Sequence, residues 1–227
     1  MNRFAISDIH GCLKTFKALL EKINFSKADE LFLLGDYIDR GPDSKGVIDH
    51  ILELKAKGYL VHCLMGNHEE LMIRGLKGDE LALDIWLKNG GYQTIDSYFE
   101  DDAKDIPVEH LIFLNNLKYY FKIDHYYLVH AGLNFKLGEP LSDEKSMLWI
   151  RDWYGDLDQQ WLGRRSIVHG HTPLPKAVIK QQHLELKNFP VLDIDCGCVY
   201  NRMGLGYLCA FNLNTKSLTF QKNIENS

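Results

Sequence analysis

Short apolar runs alternate with amphipathic stretches through the first third of the chain, and this alternation restricts the possible folds more than any other feature. The runs at 3–7, 30–35 and 59–65 have the length and composition of strands, whereas 13–23 and 44–57 have helical periodicity. A β-α-β-α-β order predicts parallel strands covered by helices, with the loop after each strand at one common edge of the sheet. We therefore expect binding residues at that edge.

The middle of the chain has a helical pattern. From 69 to 118 the strand signal gives way to helical periodicity with several aromatic residues, including Trp86, Tyr92 and Tyr98, and with an acidic patch at 100–105. We interpret the stretch at about 69–118 as a helical insertion over the sheet edge. The insertion would belong to a single domain that spans 1–227.

Strand patterns return in the second half of the chain. The predicted strands are 119–129, 166–168, 177–180, 191–195, 206–213 and 217–221. The last of them are close in sequence and are joined by turn signals such as Asn212-Leu213-Asn214, which favours antiparallel pairing in a second sheet. The prediction is an α/β fold in which two sheets pack face to face with helices outside.

Composition excludes several classes of protein. The 227 residues are 45% hydrophobic and 25% charged, as in an ordinary globular protein. A formal net charge of −5 argues against general nucleic-acid binding, which needs clustered Lys and Arg. No run reaches the roughly 20 apolar residues that span a bilayer, and the first residues lack a signal peptide's apolar segment, so we expect a cytoplasmic protein without membrane contact. Five scattered cysteines predict reduced thiols.

Three loops at predicted strand ends carry potential metal ligands. They are Asp8-Ile9-His10-Gly11, Gly35-Asp36-Tyr37-Ile38-Asp39-Arg40-Gly41 and Gly66-Asn67-His68-Glu69. His130 and His171 end two later apolar runs. Residues two apart in an extended segment point the same way, so Asp8 and His10 can converge on one ion. Oxygen and imidazole ligands without thiolates favour Mn, Fe or Zn over a purely structural zinc site.

This ordered set of motifs resembles the metallophosphoesterase superfamily and, within it, the phosphoprotein phosphatase branch with its compact bacterial and phage lambda-like serine/threonine protein phosphatases. The resemblance implies the calcineurin-like fold, a four-layer α/β/β/α sandwich in which two mixed β-sheets are flanked by helices. It also implies two divalent metal ions, with Mn²⁺ preferred and Fe or Zn as alternatives, that activate a shared water. The implied ligands are Asp8 and His10 for the first metal, Asp36 as the bridge, and Asn67, His130 and His171 for the second.

The resemblance also implies which residues act on the substrate. Arg40 and Arg151, together with Asn67, would bind the phosphate, because the planar guanidinium fork suits bidentate contact. His68 would protonate the leaving oxygen, and Asp39 would orient His68 and raise its pKa. From the residues alone, a surface ion pair is the alternative for Arg151, and the cap of a turn is the alternative for Asp39.

Departures from the superfamily pattern favour the phosphoprotein phosphatase branch. Pro173 stands where many members have the last histidine of Gly-His-x-His, which this branch also lacks. Met65 stands where the eukaryotic enzymes typically have an arginine, which favours a bacterial-type enzyme. We interpret His169 as a satisfied strand histidine, with support of a metal ligand as the alternative. Asp195-Cys196-Gly197-Cys198 resembles a late segment of bacterial relatives, and its cysteines are not expected to bind metal.

The predicted function is hydrolysis of phosphoserine and phosphothreonine monoesters by direct attack of a metal-bridging hydroxide, with a phosphorylated protein, peptide or small phosphoester as the substrate. The alternative is a dinucleoside polyphosphate (diadenosine tetraphosphate) hydrolase, because bacterial tetraphosphatases share nearly all these motifs. The short chain favours the protein phosphatase. Trp86, Tyr92 and Tyr98 fit both functions, since aromatic rings stack on bases and line peptide grooves. A phosphate-binding adaptor without activity is disfavoured, because a binder needs no proton donor such as His68.

Overall fold

Two β-sheets form the centre of the molecule in the computed structural model, which describes residues 1–99 and 106–225. The strands are β1 (Arg3–Ile6), β2 (Glu30–Leu33), β3 (Leu60–Cys63), β4 (Tyr120–Ile123), β5 (Tyr126–Val129), β6 (Ser166–His169), β7 (Val191–Asp193), β8 (Tyr207–Asn212) and β9 (Leu218–Lys222). The first sheet has the order β3-β2-β1-β8-β9, and the second has the order β4-β5-β6-β7. Both sheets contain parallel and antiparallel pairs.

Helices connect most of the strands. They are α1 (Leu13–Lys22), α2 (Ser44–Ala56), α3 (Asn67–Leu76), α4 (Glu80–Trp86), α5 (Tyr92–Phe99), α6 (Val108–Asn115), α7 (Glu144–Trp149), α8 (Gln159–Leu162) and α9 (Lys176–Glu185). A kinked segment at Leu87–Gly91 joins α4 to α5. Helices α3 to α6 occupy the stretch interpreted as an insertion, and the predicted acidic patch at 100–105 lies outside the described residues. Among the described helices, none has the length and apolar character needed to cross a membrane.

The alternation of side chains along the strands separates the molecule into layers. In β2, Leu31 and Leu33 pack with the residues of α1 and α2, whereas Phe32 packs in the layer between the sheets. In β5, Leu128 joins that same layer, and Tyr127 packs on the opposite face of the second sheet. Two mixed sheets thus pack face to face with helices on the outer sides, which confirms the predicted four-layer α/β/β/α sandwich.

Two predictions for the last third of the chain are wrong. The apolar run at 177–180 is not a strand but the first part of α9, which begins after Pro175 and buries Ile179. Pro175 has a φ of −55° and no N–H to satisfy at a helix start. Strands β8 and β9 do pair antiparallel, but β8 extends the first sheet beside β1, and the second sheet is built on parallel β5, β6 and β7.

The parallel strands determine where the candidate site lies. Ile6 pairs with Leu33, and Leu33 pairs with Cys63, so β1, β2 and β3 end together. In the second sheet β5 and β6 are also parallel neighbours. The loops that follow these five strands carry the predicted ligands, and the strand ends therefore bring them to one edge of the sandwich.

Candidate metal centre

The loops after β1 and β2 lie against each other along their backbones. The N–H of His10 donates to the Asp36 carbonyl at 2.9 Å, and the N–H of Gly11 donates to the Tyr37 carbonyl at 2.8 Å. A Cβ atom on Gly41 would overlap the His10 carbonyl, and one on Gly66 would overlap Asp36. The glycines therefore permit the close approach of these loops.

Asp36 lies between two groups of imidazoles. Its Oδ2 atom is 3.6 Å from His10 Nε2 and 3.8 Å from His68 Nε2. Its Oδ1 atom is 3.5 Å from His130 Nε2, and the second group, whose ligand atoms all lie within 4.8 Å of one another, also contains His171. One carboxylate thus directs an oxygen toward each group, which is the arrangement that a bridging ligand requires.

The hydrogen bonds of the histidines leave acceptor atoms facing the centre. His130 Nδ1 donates to the Leu34 carbonyl at 2.9 Å, so its Nε2 lone pair faces Asn67 Oδ1, another acceptor, at 3.0 Å. His10 Nδ1 likewise donates to the Ile38 carbonyl at 2.8 Å and leaves Nε2 as an acceptor. Opposed acceptors at the centre fit a cation between them.

His171 supports the same conclusion. Its Nδ1 atom lies 2.8 Å from Asn67 Oδ1, and its buried Nε2 atom has no hydrogen-bond partner within the described residues. A buried nitrogen without a partner is costly unless a ligand satisfies it. The donor set at the strand ends therefore fits divalent metal ions of the Mn, Fe or Zn type.

Electrostatics at the centre also favours bound cations. Burial lowers the pKa of His10, His130 and His171, so these imidazoles are neutral, which is the form that binds metal. Burial and then the neighbouring Asp8 carboxylate raise the pKa of Asp36 well above its usual range. Metal ions would offset this cost of holding buried carboxylates together.

Asp8 is placed beside the centre rather than in either group of ligand atoms. Its Oδ2 atom accepts the His171 N–H at 3.0 Å and a short hydrogen bond from the Ser7 hydroxyl. Among the described residues, the two groups whose ligand atoms lie within 4.8 Å do not include it. Its assignment to the first metal stays a prediction.

His68 and Asp39 form a buried pair. Asp39 Oδ2 lies 2.5 Å from His68 Nδ1, and Asp39 Oδ1 accepts hydrogen bonds from Trp86 Nε1 at 2.9 Å and Thr94 Oγ1 at 2.6 Å. The predicted rise in the pKa of His68 is wrong for this structure, because burial, and then Arg40 and His130, lower it. Burial raises the pKa of Asp39 to about 7. Burial thus shifts both pKa values in the direction that disfavours the fully ionised pair.

The two predicted phosphate-binding arginines flank the centre. Arg40 Nη1 donates to His10 Nε2 at 2.7 Å. Arg151 is exposed, and its Nη1 atom donates to the hydroxyl of Thr172, the residue after His171, at 3.0 Å. In the described part of the chain Arg151 forms this hydrogen bond rather than the surface ion pair considered above. Arg40 therefore contacts the candidate centre directly, Arg151 contacts the residue after His171, and phosphate binding by both stays a prediction.

Glu69 connects the loops after β2 and β3, a role that the sequence motifs do not indicate. Its carboxylate accepts the N–H groups of Asp36 at 2.9 Å, Tyr37 at 2.8 Å and Gly66 at 3.0 Å. The only signal in the sequence is its position directly after His68, where an acidic residue in the first turn of a helix also caps it. Glu69 thus holds in place the backbone that carries Asp36.

Two aromatic residues considered for substrate contact have internal roles. Trp86 is 2% exposed and donates to Asp39, and Tyr98 is 2% exposed with its hydroxyl 2.8 Å from His110 Nδ1. Tyr92, at 59% exposure, keeps its ring on the surface. His169 is buried with Tyr154 Oη 2.7 Å from its Nε2, as expected for a satisfied strand histidine.

In the segment 195–198, Asp195 lies close enough to Asp8 and Asp36 for their charges to interact. The N–H of Gly197 donates to Asp195 Oδ1 at 2.8 Å, and burial and then Asp8 raise the pKa of Asp195. All five cysteines are free, as predicted, and all are buried; the two ligand groups found among the described residues contain none of them.

The chain is similar to bacterial tetraphosphatases in sequence. It is 44% identical over 177 residues to the bis(5'-nucleosyl)-tetraphosphatase, symmetrical, of Buchnera aphidicola subsp. Acyrthosiphon pisum (strain Tuc7), a match that covers 71% of this chain and 60% of that relative. It is 26% identical to the asymmetrical bis(5'-nucleosyl)-tetraphosphatase of Oceanobacillus iheyensis, with 89% of this chain and 86% of the relative covered. This chain thus spans about three fifths of the Buchnera protein.

Solved structures share the fold. A putative diadenosine tetraphosphatase superposes with a TM-score of 0.67 at 20% identity, covering 100% of this chain and 95% of that one. A protein serine/threonine phosphatase from Saccharomyces cerevisiae gives 0.73 at 16% identity, covering 100% and 81%. Residues 1–200 match the family described as calcineurin-like phosphoesterase. The sandwich fold, the ligand groups at the strand ends and this match together show that the chain belongs to the calcineurin-like phosphoesterase family.

Proposed function

We propose that the chain hydrolyses dinucleoside polyphosphates, with diadenosine tetraphosphate as the representative substrate, by symmetrical cleavage into two nucleoside diphosphates. The single observation that carries this choice is the identity with a symmetrical tetraphosphatase over most of the chain. The fold and the ligand groups fit phosphoprotein and dinucleotide substrates alike, so they do not distinguish the two. The proposal replaces the protein phosphatase favoured by the motifs alone.

Chain length does not separate the two functions. The short chain favoured the protein phosphatase, but the match to the Oceanobacillus tetraphosphatase covers most of both proteins. The aromatic residues do not separate them either, because Trp86 and Tyr98 are buried. The names of the relatives therefore support the dinucleotide as the proposed substrate.

The residues of the centre support the chemistry as follows. Divalent metal ions held by the ligands around Asp36 supply an activated water and neutralise the phosphates when bound. Arg40 and Arg151 orient the central phosphates for in-line attack, since guanidinium groups bind phosphoryl oxygens bidentately. His68, oriented by Asp39, donates a proton to the leaving phosphate oxygen. The bond between the two central phosphates breaks, water adds across it, and two nucleoside diphosphates leave.

A side-by-side assay tests the proposal. Purified protein with Mn²⁺ is given diadenosine tetraphosphate or a phosphoserine peptide, and kcat/KM is measured for each. We expect kcat/KM for the dinucleotide to be at least about tenfold higher, a discrimination that differential contacts with the substrate readily supply. ADP should be the sole nucleotide product. A higher kcat/KM for the phosphopeptide would contradict the proposed dinucleotide substrate. ATP and AMP as products would contradict symmetrical cleavage.

A further inference from the structure

A basic cavity lies beside the candidate metal centre. It has a volume of about 750 Å³ and is formed by the start of α9, the loop after β7 and the end of β9. Four cationic side chains line it, namely Lys176, Lys180, Arg202 and Lys222, and no carboxylate is among its described lining residues. The chain as a whole carries a net charge of −5, so this positively charged cluster is opposite in sign to the net charge of the protein.

The cations are grouped at a cost to the folded protein. Lys176 and Lys180 are four residues apart on α9, where like charges repel each other by roughly 0.2–0.5 kcal/mol. Within 1–99 and 106–225, none of the four cations forms an ion pair. Lys176 is instead fixed by two aromatic rings, with Nζ 4.4 Å from the centroid of Tyr207 and 4.9 Å from that of Phe220. Such a cluster is suited to a polyanionic ligand.

Tyr200 joins the cavity to the metal centre. Its ring lines the cavity, with Arg202 Cζ 5.5 Å from the centroid. Arg40 Cζ lies 5.9 Å from the same centroid, and Arg40 Nη1 contacts His10. One aromatic ring therefore separates the cavity from the arginine at the metal centre, and a single elongated anion can contact both.

We propose that this basic cavity binds the outer phosphate of one nucleoside diphosphate half of the substrate while the metal centre holds the two central phosphates, between which the bond is cleaved. The inference rests on the proposed function and adds a binding site to it. A tetraphosphate chain has negative charge on both sides of the cleaved bond, so it needs cations beyond the centre. A phosphate monoester has a single phosphate, which the centre would hold, and has no second phosphate for the cavity.

Paired variants test the site. Lys180→Gln and Arg202→Gln together remove two exposed charges from the cavity, and Lys187→Gln removes an exposed charge just after α9 that does not line it. We expect the ratio of kcat/KM for diadenosine tetraphosphate to kcat/KM for 4-nitrophenyl phosphate to fall about tenfold in the double variant, mainly through KM. The Lys187→Gln protein should keep the wild-type ratio. An unchanged ratio in the double variant would overturn the site.

A binding measurement separates this inference from the proposed function. Metal-free wild-type protein, the double variant and Lys187→Gln are titrated with ADP by calorimetry. We expect the double variant to bind ADP about tenfold more weakly than the other two proteins. If the wild-type protein cleaves no dinucleotide but the double variant still binds ADP more weakly than the other two proteins, the cavity binds phosphate and the proposed function is wrong. If the dinucleotide is cleaved and all three proteins bind ADP equally, the function stands and the cavity proposal fails.

Discussion

The backbone of the candidate centre is held in an uncommon conformation. In the described part of the chain ten residues other than glycine have a positive φ, and six of them are predicted site residues: Asp8, His10, Asp36, Asp39, Arg40 and His171. Each such conformation costs of order 1–3 kcal/mol and persists only where the surrounding contacts fix it. The hydrogen bonds between the loops supply such contacts, so the side chains are oriented before any ligand binds.

A first prediction concerns the proton donor. His68→Asn should lower kcat for glycerol 2-phosphate by about 10²-fold or more, because an alkoxide leaving group needs protonation. The loss for diadenosine tetraphosphate should be smaller, because a nucleoside diphosphate is a better leaving group. Steady-state kinetics with each substrate, together with metal analysis of the purified protein, checks both statements. Equal losses for the two substrates, or loss of bound metal, would contradict the assigned role.

A second prediction concerns the pair of His68 and Asp39. Asp39→Asn should slow turnover of glycerol 2-phosphate, and the double variant with His68→Asn should be scarcely slower than His68→Asn alone. If Asp39 acts by positioning His68, as their contact suggests, the two residues act as a unit and their effects are non-additive. A double-mutant cycle on kcat measures the coupling free energy between Asp39 and His68. Additive losses would show that Asp39 has an independent role.

At the scale of secondary structure, helix α3 organises the loops at the ends of β2 and β3. Its second residue is His68 and its third is Glu69, whose carboxylate binds backbone N–H groups of the neighbouring loop. The same turn therefore carries a candidate proton donor and fixes the backbone of Asp36. A substitution in the first turn of α3 is therefore expected to alter the geometry of the whole candidate centre.

The third prediction concerns this connection. Glu69→Ala leaves the buried N–H groups of Asp36, Tyr37 and Gly66 without their acceptor, at about 1–3 kcal/mol for each group. We expect the free energy of unfolding of the metal-free protein, measured with urea, to fall by about 3 kcal/mol or more. The matched control, Glu70→Ala, removes a pair with Arg74 worth about 0–1 kcal/mol. Equal destabilisation by the two variants would contradict the role of Glu69.

Local features were predictable, and long-range pairing was not. The ligand loops could be located because side-chain type and strand ends are both local properties of the sequence. The run at 177–180 resembles a strand in sequence because its apolar residues suit a strand and a helix alike, and packing against the sheet selects the helix. The placement of β8 beside β1 joins residues some 200 positions apart, which no local pattern reveals. The internal role of Trp86 was missed for the same reason, since its partner Asp39 is distant in sequence.

At the scale of the whole molecule, the centre is shared between the two sheets. Asp36 and Asn67 follow strands of the first sheet, whereas His130 and His171 follow strands of the second. The second ligand group thus spans the interface between the sheets. A metal ion held there binds the folded sandwich and not the unfolded chain.

The fourth prediction follows from this shared position. At a Mn²⁺ concentration 100 times Kd, binding should add about 2.7 kcal/mol to the stability of the folded protein. For a chain of this size the melting temperature should rise by roughly 5–10 °C relative to protein treated with a chelator. Calorimetric scans with and without Mn²⁺ measure the shift. The Asp36→Asn variant, which alters a ligand of both groups, should lose most of this rise in melting temperature. An equal rise in the variant and the wild-type protein would contradict the shared site.

The division of the ligands between early and late strands also has a consequence for biosynthesis. A ribosome-bound nascent chain presents Asp8, His10 and Asp36 long before His171 has been translated. The second group of ligands is complete only after the second sheet has emerged from the exit tunnel and docked. Acquisition of metal by that group is therefore a late event in the maturation of the polypeptide.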